Sequence, residues 1–214
     1  MKKGNPIRAT HCQHGFTMIE MVITMTIVAV LASIAVPSMR TYVLNTRLTS
    51  ESQELVRSFQ TARSEATKRQ RNVVVCLSDA TTACTTGTPT GWIVFEDTNA
   101  NWDRDTGTAS ENPIEVHTFD STKMKVLADL DKRVSYASTG FMVTGNGATP
   151  QRKSTGLVLC DSRGNVDSNG GTGATSVARG LIISNTGRVT LTKVRSNTTP
   201  PGIAQLITAT GSSC

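Results

Sequence analysis

The chain has 214 residues, room for one domain of ordinary size plus a separate apolar segment. Its formal net charge is +6, but Lys2, Lys3 and Arg8 lie ahead of that segment, and from Phe16 onward 19 bases face 16 acids. So even a balance does not describe a protein built around a polyanion, and an aromatic content of 4% gives no base-stacking platform.

Residues 16–36 are almost wholly apolar, and as a helix they reach about 31 Å, enough to cross a bilayer. Glu20 sits four residues in, where a carboxylate costs about 2.5–3.5 kcal/mol on insertion scales and marks a functional position. The basic residues before the run place 1–15 on the cytoplasmic side. Three readings stand open. A secretory signal is cut after Ser33-Ile34-Ala35, or an uncleaved anchor holds the rest outside, or the cut falls before the apolar run.

The motif Gly15-Phe16-Thr17-Met18-Ile19-Glu20 resembles the type IV prepilin cleavage site. That resemblance implies cleavage between Gly15 and Phe16 by a membrane prepilin peptidase and N-methylation of Phe16. It also gives Glu20 a partner, the N-terminal amine of a neighbouring subunit in the fibre. Opposite charges attract strongly in that low-dielectric core, although desolvation offsets part of the gain. The competing reading is a Glu20 that snorkels to the membrane interface.

Pro37 follows the span and is expected to kink or locally open the helix. Beyond it Leu48, Leu55, Phe59, Ala62 and Ala66 recur at helical spacing, an apolar stripe for the following domain to cover. The helix should end near Gln70-Arg71. Strands are then expected at 72–77, 91–96, 114–119, 132–136, 156–160, 180–184 and 188–194, between loops rich in Gly, Thr and Asn. Val73-Val74-Val75 and Leu181-Ile182-Ile183 read as strands buried on both faces. The fold class is α+β, one long helix on an antiparallel β head. Its segments are a leader (1–15), an apolar span (16–36), an amphipathic continuation (37–71) and a head (72–214).

Cys76, Cys84, Cys160 and Cys214 lie beyond the span, an even number that suits an oxidising compartment. Four cysteines allow three pairings. Cys76–Cys84 closes a short stretch and Cys160–Cys214 pins the terminus, so these are the expected bridges. Charge is uneven across the head: residues 79–131 hold ten acids and three bases, and 132–214 hold nine bases and two acids.

The stretch Val75-Cys76, the later Cys84 and Gly91-Trp92-Ile93-Val94-Phe95-Glu96-Asp97 resemble the head of GspH/FimT-type minor pilins and pseudopilins. Leu181 to Leu191, with Asn185-Thr186-Gly187-Arg188-Val189, is similar to the late hairpin of that family. The resemblance implies a type IV pilin-like fold and a non-enzymatic subunit without cofactors. It implies pilins, both major and minor, as partners. The chain would sit in the bacterial inner membrane with its head in the periplasm, and later in the pilus fibre. Two alternatives accompany the minor-pilin reading: a type II secretion pseudopilin and a DNA-binding minor pilin. The DNA-uptake branch uses a Gly-Arg-x-Arg motif, of which Gly187 and Arg188 match while Thr190 replaces the second arginine. Arg179, Arg188, Lys193 and Arg195 are the candidate DNA contacts, enough for weak binding.

Catalysis finds little support. His117 is the one histidine after the leader, expected to be a satisfied or exposed strand residue, and no base stands out beside a nucleophile. Asp97 to Asp105 resembles the start of a calcium loop, but Trp102 stands where Gly is required and Thr108 where Glu is required. A turn of self-capping Asx side chains is the expectation there, and no metal site.

Overall fold

The computed structural model describes residues 15–79, 83–85, 87–107, 111–128, 133–144, 155–163 and 175–195. Two units emerge, residues 1–43 and 44–214. The described part of the first holds the N-terminal part of α1 (Met18–Arg69), a helix that runs on through Pro37 rather than opening there. Its start is capped: Thr17 Oγ1 accepts from the Glu20 backbone N–H at 3.2 Å. With Glu20 three positions on, Thr17 completes the sequence pattern of a capping box, and Glu20 places an acid in the first turn.

In the second unit the rest of α1 packs on the head. Leu48, Leu55, Phe59, Ala62 and Ala66 are buried in one core cluster with Val73, Val75, Trp92, Val134, Tyr136 and Leu157. The spacing of the stripe places these side chains on one helix face, and burying that face is what holds the segment. The helix stops as expected. Gln70 takes φ 57°, and the Arg71 N–H reaches the Ala66 carbonyl at 3.3 Å, a Schellman-type closure with Gln in the position usually given to Gly.

Two antiparallel sheets complete the unit. One has the order β3-β2-β1-β5-β6, from β1 (Asn72–Ser78), β2 (Gly91–Asp97), β3 (Pro113–Thr118), β5 (Arg133–Tyr136) and β6 (Met142–Thr144). The other has β4-β7-β8-β9, from β4 (Met124–Ala128), β7 (Thr155–Asp161), β8 (Thr175–Ile183) and β9 (Val189–Arg195). All seven expected strands are present within a few residues, and β4 and β6 are additional. Val73 and Val75 face the helix cluster, whereas Val74 and Cys76 join Ile93, Phe95 and Trp102 on the opposite face. Thus the continuous apolar run of β1 is buried on both sides. Close approach of β2 and β3 requires glycine at position 91, where a Cβ would lie 2.1 Å from the His117 carbonyl oxygen.

Candidate functional site

Between Phe16 and Val36 every large apolar side chain is at least 51% exposed. Among the described residues these side chains are left uncovered. Their helix is the one among the described residues that is long and apolar enough to cross a membrane. Its few polar side chains are satisfied locally: the hydroxyls of Thr24, Thr26 and Ser33 donate to the carbonyls of Met21, Ile23 and Val30 at 3.0, 2.8 and 2.7 Å. In a medium without water this disposes of groups that would otherwise cost several kcal/mol each. Glu20 is exposed at the head of this surface, beside Phe16 and Met18, which are 79% and 90% exposed. Gly15 and Phe16 precede the first helical turn.

The disulfide Cys76–Cys84 is formed, with Cα atoms 5.5 Å apart. It folds the β1–β2 connection back, so that the Thr85 N–H donates to the Leu77 carbonyl at 2.8 Å and Ser78 bridges to Cys84. Closing this nine-residue loop should contribute about 2.5 kcal/mol in the chain-entropy model. A Cys76→Ala, Cys84→Ala variant is therefore expected to lower the unfolding free energy by about that amount. Equilibrium urea denaturation checks it, and an unchanged midpoint would contradict it. Cys160 is disulfide-bonded too. Its expected partner, Cys214, lies outside the described residues.

Of the four candidate DNA contacts, Arg179 and Lys193 come together and Arg188 stands apart. Arg179 and Lys193 are cross-strand partners in β8 and β9, and Arg179 Nη2 donates to Thr49 Oγ1 of α1 at 3.4 Å. Arg188 is exposed in the β8–β9 turn, where Gly187 has φ 79°. Five residues of strand separate Arg188 from Lys193, about 16 Å. The backbone of Arg195 ends β9, and its side chain lies outside the description.

A polar tie that the sequence did not reveal joins the helix to β2 and β3. Trp92 Nε1 donates to Ser58 Oγ at 2.8 Å, and Ser58 in turn hydrogen-bonds Glu115. His117 Nε2 lies 2.8 Å from Glu51 Oε2, and its ring stacks on Trp92 with centroids 4.0 Å apart. Ser58 and Trp92 are fully buried, so the hydroxyl is a structural link with no access for a substrate. Among the described residues no cluster of three or more His, Cys, Asp or Glu converges on one point.

Comparison with known proteins adds family membership. The family described as Type II transport protein GspH matches residues 51–201, and the prokaryotic N-terminal methylation motif matches residues 10–36. No curated protein matches the chain. Two crystal structures of the Pseudomonas aeruginosa type IV minor pilin FimU are similar to it at 18% identity. One is matched over 69% of this chain and 89% of that one with a TM-score of 0.47, the other over 67% and 91% with 0.42. The first family match alone spans well over half of the sequence and the second covers the Gly15-Phe16 site, so the chain belongs to the GspH family and carries the N-terminal methylation motif.

Proposed function

We propose that the chain is a minor pilin: a structural subunit cut between Gly15 and Phe16, methylated at Phe16 and built into a type IV pilus. The observation that carries this reading is the wholly exposed apolar stretch of residues 16–36 behind the methylation motif, with Glu20 as its lone carboxylate. Residues 1–15 act as leader, 16–36 as span and assembly helix, 37–71 as the amphipathic continuation and 72–214 as head. Before assembly the span anchors the chain in the inner membrane with the head in the periplasm, where Cys160 pairs with Cys214. Afterwards neighbouring pilins cover the same apolar surface, and the subunit needs no catalytic group. Epitope-tagged protein should appear in fibres sheared from the cell surface. Its confinement to the membrane fraction in cells that make fibres would turn the assignment toward a pseudopilin of type II secretion.

Arg179 and Lys193, side by side across β8 and β9, support a second and subordinate reading, weak binding of duplex DNA. About three phosphate contacts give a log–log salt slope near −3, so binding seen at low salt should vanish at moderate salt. Titration of detergent-solubilised protein with duplex DNA measures this. Tight binding that survives moderate salt but is lost in Arg188→Gln, Lys193→Gln would make DNA reception the primary role.

A further inference from the structure

We propose that the outer edge of β9 takes an extended, acidic peptide segment of another protein, which adds to the sheet as a further antiparallel strand. Four strands end the two sheets, and three of them are poor templates for such pairing. β3 starts at Pro113 and bulges where it meets Phe95, β6 has three residues, and β4 has five. β9 has seven, with neither proline nor glycine. Its own course is regular, because the irregularity in its pairing falls in β8 between Thr175 and Arg179. Among the described residues no strand lies on its outer side. An edge of this kind offers another chain a row of backbone donors and acceptors.

Cations stand at both ends of that edge. At one end Arg179, the cross-strand partner of Lys193, donates to Thr49 Oγ1 of α1 at 3.4 Å. At the other, a Cβ on Gly140 would lie 3.4 Å from Arg63 Nε, and one on Gly187 would lie 2.7 Å from the Gly140 carbonyl oxygen. Arg63 is thereby stacked, through the β5–β6 turn, on the β8–β9 turn that carries Arg188. The two spans agree: Thr49 to Arg63 is about 21 Å of helix, and Gly187 to Lys193 is about 20 Å of strand. Between these ends Val56, Val189 and Leu191 are half-buried against the main core. Alternation puts Lys193 on the same face of β9 as Val189 and Leu191.

The charge on this flank is uncompensated. Arg63, Arg188 and Lys193 are exposed, and among the described residues no carboxylate pairs with them. The acids of α1 in this stretch are engaged elsewhere: Glu51 with His117, Glu54 with Arg57, and Glu65 with Lys68 and Arg69. A lysine on an edge strand ordinarily deters pairing. A strand with an acid opposite Lys193 turns that deterrent into selectivity, because strands bearing a cation there are repelled. Duplex DNA fits less well: apolar Val189 and Leu191 separate the cations, and a duplex has no backbone row to match the strand edge.

Fluorescence anisotropy of the labelled peptide Glu-Thr-Val-Thr-Val-Thr-Glu, titrated with detergent-solubilised full chain, tests this. Its glutamates fall opposite Lys193 and the Arg63 end, and its valines opposite Leu191 and Val189. Binding with Kd about 10⁻⁵–10⁻⁴ M is expected. The charge-reversed peptide Lys-Thr-Val-Thr-Val-Thr-Lys, and the acidic peptide N-methylated along its bonding edge, should each bind at least about tenfold more weakly. Arg63→Gln, Lys193→Gln, both at exposed positions, should also cost about tenfold while the melting temperature holds. The measurement needs no fibre, so its outcome is independent of the pilin assignment. No binding up to about 1 mM, equal binding of either control peptide, or undiminished affinity in the double variant would overturn the proposal. So would duplex DNA that binds the wild type but not the double variant while the peptide stays free, which would give this edge to nucleic acid.

Discussion

Replacing Phe59 with alanine is expected to lower the unfolding free energy of the head by about 3–5 kcal/mol. Phe59 is 1% exposed and meets the edge of Tyr136 with ring centroids 6.5 Å apart. It lies between Leu55 and Ala62 on the stripe that joins α1 to the core, where truncation opens a cavity that the flanking strands cannot fill without moving. Denaturation followed by tryptophan fluorescence reads the head directly, since Trp92 and Trp102 both lie there. Met39→Ala is the control: that side chain is 61% exposed on the same helix and its loss should change stability little. A Phe59→Ala cost below about 1 kcal/mol would mean that the helix is not part of the core.

The second large effect concerns Glu20. In a fibre its carboxylate would face a buried amine of the next subunit, and breaking such a pair by removing one partner costs about 3–5 kcal/mol. Incorporation of Glu20→Ala into sheared fibres should therefore fall about a hundredfold or more. The N-terminal cap supplies a rival explanation, because Glu20 is three positions after Thr17. Glu20→Gln separates the two, since glutamine serves a capping box but carries no charge. The assembly role predicts that Gln fails as Ala does. Wild-type incorporation of Glu20→Gln would leave only the cap. Membrane insertion should survive both changes, because each removes a charge from the span.

Local chemistry was legible and distant partnership was not. Leu48, Leu55 and Phe59 announce their burial by helical spacing, and Val73-Val74-Val75 announces two buried faces, with α1 on one and Trp102 on the other. β4 carries its signal as well: Met124 and Val126 are buried and alternate with exposed Lys125, a pattern short enough to pass for loop. Three-residue β6 has no such pattern to read. The link from Trp92 through Ser58 to Glu115 joins residues 34 and 57 positions apart, so nothing local marks it. Trp102 is the instructive case. In sequence it stands as a defect in a calcium loop, whereas in the fold it plugs the outer face of the sheet and supplies the left-handed turn. The pairing of Arg179 with Lys193 across β8 and β9 likewise joins positions 14 apart, so nothing local marks it.

The most direct test of the account is the N-terminus of the mature protein. Processing before the apolar helix would leave the span, Glu20 and an amine within one helical turn, and the proposed assembly into a fibre requires all three. Mass spectrometry and N-terminal sequencing of membrane-extracted protein should find Phe16 first, N-methylated and followed by Thr17-Met18-Ile19-Glu20. A chain starting at Val36 would have lost both anchor and assembly surface, and one starting at Met1 would be a simple signal anchor; either result contradicts the assignment.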